Sequence, residues 1–258
     1  LWIVDQTPRQ ACIEPLVDAF RDDFVNIRVV PALCGRTQLT PAIADCLGLP
    51  LLNLVAAPEQ GWRALPKAIF DRSFALCALI ALAPLLAAIA VAVKCSSPGP
   101  VLFRQARKGI NGQVFAIYKF RSMYQGADRP GTVTQARRDD ARVTRVGRFL
   151  RSTSLDELPQ FINVLKGDMS VVGPRPHAVE HDEYYKDLVE HYMYRYRIKP
   201  GITGWAQVNG YRGETERVEK MAARVMLDIH YIQHWTLWLD LKIVGMTVLK
   251  GFAGQSAY

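Results

Sequence analysis

The sequence predicts an α/β protein with a membrane-associated domain, and three observations carry that expectation. Residues 1–57 alternate strand-like and helix-like segments. Residues 72–94 form an unbroken apolar run with a proline at its centre. Beyond that run, apolar residues recur at helical spacing next to paired carboxylates and many arginines.

The first segment reads as strand 1–4, helix at about 11–21, strand 26–30, helix at about 40–47 and strand 51–55. Alternation of this kind points to a parallel layer of the Rossmann-like type, here only part of a larger accessory domain covering 1–57. The G-x-G-x-x-G fingerprint is absent, so no nucleotide is assigned to it. Residues 58–66, with Pro58, Gly61 and Pro66, read as a linker, and 67–258 as the second domain. The chain opens on Leu1 with no basic, apolar and cleavage-site sequence behind it, which reads as a piece of a longer chain without a secretion signal.

The apolar run 72–94 is long enough for a bilayer, whose hydrocarbon core of about 30 Å needs only about 20 helical residues. Pro84 cannot donate to the carbonyl of Ile80, so a bend is expected at Ala83-Pro84. Arg63, Lys67 and Arg72 precede the run, and Lys94, Arg104, Arg107 and Lys108 follow it. Basic flanks collect on the cytoplasmic side, so both ends read as cytoplasmic. A re-entrant helix that dips into one leaflet, breaks at Pro84 and returns to the same face fits these facts. A kinked spanning helix fits the apolar run too, and the two stay open at this point.

Net charge is +8, and it is concentrated: residues 101–152 hold twelve Arg and Lys against three Asp. Directly after a membrane segment, such a block suits anionic lipid head groups or phosphate-bearing substrates. No nucleic-acid-binding motif accompanies it. Cys12, Cys34, Cys46, Cys77 and Cys95 are odd in number and contain no C-x-x-C pair, which argues against a disulfide framework or a zinc site and for a reducing cytoplasm.

The sharpest chemical signal is Ser154-Leu-Asp156-Glu157-Leu-Pro159. Leu155, Leu158, Phe161, Ile162 and Leu165 recur at helical spacing and Lys166-Gly167 supplies a basic last turn and a C-terminal glycine, so Asp156 and Glu157 are expected in the first turn of an amphipathic helix. Ser154-x-x-Glu157 also reads as a simple capping box, although Pro159 favours a helix starting at Leu155 or Asp156. Two adjacent carboxylates, with Arg148 and Arg151 upstream, are expected to stay ionised and can hold a hard cation such as Mg²⁺. An ionised Asp beside a phosphate-binding surface is also a nucleophile towards phosphorus.

Lys119-Phe-Arg121-Ser-Met, Ser154-Leu-Asp156-Glu157-Leu-Pro-Gln, Lys166-Gly-Asp168-Met-Ser-Val-Val-Gly173-Pro-Arg175-Pro and Lys199-Pro-Gly-Ile-Thr-Gly-Trp205-Ala-Gln-Val-Asn-Gly210 occur in order. From about Leu65 to the C-terminus, the chain resembles the bacterial sugar transferases that act on polyprenyl phosphate, the monotopic phosphoglycosyl transferases. The resemblance implies a catalytic domain with interfacial helices at the cytoplasmic face of the bacterial inner membrane. It implies transfer of a hexose 1-phosphate from a UDP-sugar, glucose or galactose, to undecaprenyl phosphate, with release of UMP and a requirement for Mg²⁺, as the first step of exopolysaccharide or O-antigen synthesis. Asp156 matches the family's nucleophile, forming a phosphosugar-aspartyl intermediate, and Glu157 its partner in placing the metal. Arg121, Arg151, Arg175 and Arg212 match phosphate or substrate contacts. The family's membrane helix often breaks at Ser-Pro, where this chain has Ala83-Pro84.

His177-x-x-x-His181 and His230-x-x-x-His234 have helical spacing without a third ligand, and they read as surface histidines rather than zinc ligands. The stretch from Trp235 to Leu249 reads as an apolar helix, in the core or at the lipid interface. Two other functions compete: a non-catalytic membrane adaptor binding anionic lipid through the basic segment, and a transferase that makes a glycosidic bond directly and releases UDP. The sequence leaves a homo-oligomer open.

Overall fold

A computed structural model describes residues 2–5, 15, 19–20, 27–31, 43–46, 49–55, 65–126, 140–211, 213 and 217–253. The chain divides into two compact units, Leu1–Gln60 and Gly61–Tyr258.

In the first unit, strands β1 (Trp2–Asp5), β2 (Ile27–Pro31), β3 (Ile43–Cys46) and β4 (Leu49–Val55) form one sheet in the order β1-β2-β4-β3. β1 and β2 run parallel, as expected, but β4 pairs antiparallel with both β2 and β3. The sheet is therefore mixed, and the expected helix at 40–47 is replaced by a strand. Eight residues are too few for a self-supporting helix, whereas an antiparallel neighbour satisfies the backbone of Ile43–Cys46 at once. The expected helix at 11–21 falls largely outside the described residues.

The second unit begins with helix α1 (Leu65–Ser96), 32 residues that include the whole apolar run. The helix runs through Pro84 without interruption, so the expected break is not a loss of helical structure. Burial follows a revealing order along it. Lys67, Asp71 and Ala75 are buried, then no residue from Leu76 to Ala88 is, then Ile89 and Val93 are buried again. Leu76, Ile80 and Leu85 are among the exposed apolar side chains between. Both ends of α1 thus pack on the same unit while its apolar middle does not.

The reasons are local. At the first end, Lys67 Nζ lies 2.7 Å from Asp240 Oδ2 and donates to Asp71 Oδ1 and to the Val172 carbonyl, both at 3.2 Å. Asp71 Oδ1 accepts the Val171 amide at 3.0 Å. Buried charges persist only when paired and hydrogen-bonded, and here each is. At the second end, Ile89 and Val93 pack with Phe120 and Leu150, burial worth about 1.5–3 kcal/mol for each large side chain. The segment Ser97-Pro-Gly-Pro100 then ends the helix.

Strands β5 (Leu102–Lys108) and β6 (Val114–Phe120) make an antiparallel hairpin in continuous register from Leu102↔Phe120 to Lys108↔Val114. Its tight turn holds Asn111 and Gly112 at φ 52° and 72°, a conformation that favours these residue types. Helix α2 (Arg145–Thr153) is capped by Thr144, whose hydroxyl accepts the Gly147 amide at 2.8 Å. Helix α3 (Gln160–Lys166) closes at Gly167 with φ 89°, the glycine stop read from the sequence. Short parallel strands β7 (Ser170–Val172) and β8 (Gly201–Thr203) follow, with α4 (Val179–Tyr185) between them. Helices α5 (Trp205–Val208), α6 (Val218–Gln233) and α7 (Leu237–Ala253) complete the unit.

The main core gathers Ala75, Val164, Met169, Val171, Val172, Tyr231, Ile232 and Ile243 around β7. On α7, Asp240 and Ile243 are fully buried while Trp238 and Leu249 are about three-quarters exposed, at 76% and 73%. One face therefore joins the core, as one of the two sequence expectations has it, while Trp238 and Leu249 on the opposite face are exposed.

Candidate active site

The chain turns sharply between α2 and α3, and the two carboxylates sit in that turn. Ser154 ends α2 in the left-handed region at φ 59°, Leu155–Glu157 form one 3-10 turn, and Pro159 stands at the start of α3. Asp156 and Glu157 therefore precede α3 instead of occupying its first turn. Pro159 explains the difference, since a helix begun at Leu155 would carry it where its missing N–H leaves a carbonyl unpaired. Ser154 makes no side-chain cap bond, so the capping box does not form.

Glu157 is buried and clamped. Arg175 Nη1 donates to Oε2 at 3.0 Å and Nη2 to Oε1 at 2.6 Å, a bidentate pair, while Lys119 Nζ donates to Oε1 at 2.7 Å. Burial alone would raise this carboxyl, but Arg175 and Lys119 hold it well below the usual carboxylate range. The same ion pair raises Arg175. Asp156, only 9% exposed, accepts no hydrogen bond among the described residues. Burial, and then the charge of Glu157, push it up to about 6, against the opposing pull of Lys119, Arg151 and Arg175. Two neighbouring carboxylates thus differ in kind: one clamped, one free. Glu157 is thereby favoured as a carboxylate, whereas the shift of Asp156 runs towards neutral pH, against the sequence expectation of two equally ionised groups.

Arg175 owes its position to β7 and β8. A Cβ at Gly201 would collide with the Gly173 amide, so the backbones meet where only glycine fits. The Gly173 amide donates to Thr203 O and the Gly201 amide to Pro174 O, both at 2.9 Å, and Arg195 Nη2 donates to Arg175 O at 2.8 Å. Arg195 in turn is ion-paired with Asp228 at 2.8 Å, deep in the core.

Of the residues singled out in the sequence, Asp156, Glu157 and Arg175 converge, and Arg151, in the last turn of α2, lies within reach of the charges of both carboxylates, Asp156 more strongly than Glu157. Arg121 points elsewhere. Its Nη2 donates to the carbonyls of Val93 and Ser97, at 3.2 and 2.6 Å, closing the C-terminal end of α1. Its Nε and Nη1 are buried without a partner among the described residues. Arg212 lies outside the described residues.

Two site cations were missed. Lys119 stands in the Lys119-Phe-Arg121-Ser-Met motif, but its role follows only from the register of β6. Arg107, on β5, is lowered to about 10 by burial and by the neighbouring Arg175 guanidinium, with Glu157 opposing. Only the alternation along the hairpin, which puts Arg107 and Lys119 an even number of pairs apart on one face, could have flagged them. Four cations around two carboxylates leave an excess of positive charge suited to a diphosphate.

Oxygen donors at Asp156 and Glu157 fit a hard cation. Asp156 is free and Glu157 Oε2 accepts a single bond, from Arg175, while Mg²⁺ commonly takes one or two carboxylates plus water and substrate phosphates. No group of three or more His, Cys, Asp or Glu that could hold a metal occurs among the described residues. His177 corrects the surface expectation. It is buried, and with its ring nitrogens against Tyr192 Oη at 2.7 Å and Arg224 Nη1 at 3.1 Å it is a core histidine. Burial, Arg195 and Arg224 hold it well below its usual range, hence neutral. His230 and His234 are exposed, as expected.

A buried carboxylate pair thus stands among arginine and lysine side chains, in the same unit as an apolar helix long enough to cross a membrane. The sequence profile of the bacterial sugar transferases matches residues 62–254, and the chain belongs to that family. It is 48% identical over its whole length to the UDP-glucose:undecaprenyl-phosphate glucose-1-phosphate transferase of Escherichia coli, covering 55% of that protein. A Caulobacter vibrioides protein of the same description is 53% identical over 194 residues, 75% of this chain and 72% of the relative. The UDP-N-acetylgalactosamine-undecaprenyl-phosphate N-acetylgalactosaminephosphotransferase of Aeromonas hydrophila is 44% identical over 232 residues, 88% of this chain and 52% of the relative. The chain spans about half the length, 55% and 54%, of the Escherichia coli and Xanthomonas campestris proteins it matches.

Proposed function

We propose that this chain carries the catalytic unit of a phosphoglycosyl transferase that moves a hexose 1-phosphate, glucose 1-phosphate above all, from a UDP-sugar to undecaprenyl phosphate. The observation that carries the reading is the contrast between the free Asp156 carboxylate and the clamped Glu157. A nucleophile needs an open lone pair, and a phosphoryl centre needs fixed positive charge around it. The relatives' descriptions supply the substrate class.

In the first half-reaction, an Asp156 oxygen attacks the β-phosphorus of the UDP-sugar. The bond from that phosphorus to the bridging oxygen breaks, and UMP leaves with the bond's electrons. Arg175, Lys119, Arg107 and Arg151 neutralise the charge that builds on the non-bridging and leaving oxygens. In the second half-reaction, a phosphate oxygen of the acceptor attacks the same phosphorus and Asp156 departs as a carboxylate, giving the diphosphate-linked lipid sugar. Mg²⁺, held by Asp156 and Glu157 together with substrate oxygens, would supply further charge neutralisation.

The acceptor is lipid-borne and the donor water-soluble, so the unit belongs at the cytoplasmic face of the inner membrane with α1 re-entrant. Supporting this, Lys67 and Asp71 at one end of α1 and Val93 at the other are all held by the same unit. A straight spanning helix would separate those ends by the bilayer thickness.

The test is a single-turnover experiment. Enzyme given UDP-glucose and Mg²⁺ without acceptor should release up to one equivalent of UMP and gain the mass of a hexose phosphate, read by intact-protein mass spectrometry after rapid quenching. Asp156→Asn should show neither. UMP release that strictly requires the acceptor would overturn the two-step reading.

A further inference from the structure

Cations from three parts of the second unit meet at the C-terminal end of α3. A methyl group placed on Gly167 would lie 3.6 Å from Arg72 Nη2 and 3.7 Å from Lys199 Nζ. Lys166, the preceding residue, is exposed, donates to Tyr118 Oη at 2.8 Å and lies 4.9 Å above that ring. Arg104 lies 5.3 Å from the same ring. Arg72, Arg104 and Lys199 form no ion pair among the described residues. Asp168 is turned aside, accepting Asn163 Nδ2 at 3.3 Å.

A cation in the last turn of a helix is ordinary, since the partial negative charge of the carbonyl end favours it. That accounts for Lys166. It does not account for Arg72, from α1, and Lys199, from the segment before β8, which approach the same glycine against their mutual repulsion. The depth of the cluster tells what offsets that repulsion. Arg72 stands at the head of the apolar run, and the exposed apolar face begins one turn later at Leu76 and continues at Ile80. On the membrane-embedded reading of α1, on which this inference rests, Arg72 is at the level of the phospholipid head groups.

We propose that Arg72, Lys199 and Lys166 form a binding site for the phosphodiester head group of an anionic phospholipid, seated over Gly167 where α1 enters the bilayer. Gly167 serves twice: its φ of 89° closes α3, and its lack of a side chain leaves room between the two cations for a phosphate. The site is separate from the carboxylate pair, since Glu157 is held by Lys119 and Arg175 and none of the three cations pairs with either carboxylate among the described residues. Its role is to fix how deeply the N-terminal end of α1 sits.

The test offers the full chain, in nanodiscs, an equal mixture of phosphatidylglycerol and phosphatidylcholine, and reads the lipids retained on release by native mass spectrometry. The parent should retain phosphatidylglycerol preferentially, and Arg72→Gln with Lys199→Gln should lower that preference by about fivefold for each cation removed. Arg72→Lys with Lys199→Arg should keep it. Both double variants should remain in the membrane fraction. No preference in the parent, or one unchanged by the Gln pair, overturns the site. Displacement of phosphatidylglycerol by a short polyprenyl phosphate overturns it too, because the cluster would then belong to the acceptor. If the parent does not fractionate with membranes at all, the embedded reading of α1 falls and this site with it, while the phosphoryl chemistry can be tested separately in detergent.

Discussion

Arg175 holds Glu157 through two parallel bonds, Nη1 to Oε2 and Nη2 to Oε1, while the carboxylate one residue earlier accepts none among the described residues. A fork of this kind fixes both the plane and the direction of the Glu157 carboxylate, and through the shared turn it fixes where Asp156 can point.

Breaking that fork strands buried charge. Glu157→Gln should destabilise the protein by about 3–5 kcal/mol, the usual effect of removing one partner from a buried pair, and should lower kcat. Arg175→Lys should lower kcat as well, since an ammonium keeps the charge but cannot reproduce the planar two-point grip. Thermal unfolding in detergent and steady-state UMP release measure the two effects. A Glu157→Gln protein of parental stability would show that Arg175 and Lys119 find other partners.

Asp156 predicts a pH dependence with a definite sign. Its pKa in the folded protein, about 6, lies above the ordinary 3.8, so ionisation opposes folding. The penalty is absent below about pH 4 and fully present above about pH 6, by a few kcal/mol at most. Asp156→Asn should therefore melt higher than the parent at pH 8, with the difference shrinking as pH falls towards 4. Activity of the parent should rise through pH 6 as the carboxylate becomes available. An Asn variant melting below the parent at pH 8 would contradict the burial argument.

Among the described residues Arg107 bonds only neutral groups, Gln105 Oε1 and the Pro176 carbonyl, and it lies near the Arg175 guanidinium, so its natural counter-ion is the substrate diphosphate. Arg107→Gln should raise KM for the UDP-sugar by about tenfold or more, the scale of a lost hydrogen bond to a charged group. The fold should be retained, because like-charge repulsion with Arg175 is relieved. Donor titration under saturating acceptor reads this directly.

For the topology of α1, Leu65→Cys and Lys94→Cys, both at exposed positions, should react from the same, cytoplasmic, side with a membrane-impermeant reagent in a background free of native cysteines. Pro84→Leu restores the missing N–H and should let the segment straighten, moving one flank to the far side. Labelling of positions 65 and 94 from opposite faces of the parent membrane would defeat the re-entrant arrangement.

Much of the candidate site could be read from local chemistry. Asp156, Glu157, Arg151 and Arg175 stand in motifs whose charge pattern is unusual in sequence, and the stop at Lys166-Gly167 needs only one glycine at positive φ. What escaped depended on distant partners. Arg121 looks like the residues around it, but only the packing of β6 against the end of α1 turns its guanidinium to Val93 and Ser97. His177 resembles a surface histidine until Arg224, some fifty positions later, closes over it. The strand at Ile43–Cys46 has a helix-like pattern that pairing with β4 overrides.

The anchoring of Lys67 and Asp71 carries a consequence for how the protein is made. Their partners are the amides and carbonyls of β7 and the carboxylate of Asp240, which leave the ribosome long after the apolar run. During synthesis the apolar helix is therefore complete while its N-terminal tether does not yet exist. Lys67 and Asp71 wait in water or in the head groups, stabilised mainly by each other at one-turn spacing. The charge cluster at this end cannot close until Asp240 has been made and Tyr231 and Trp235 donate their hydrogen bonds to it. A chain stopped short of Asp240 would hold that end of the helix by the β7 bonds of Lys67 and Asp71 alone, without the carboxylate from α7 that completes the cluster.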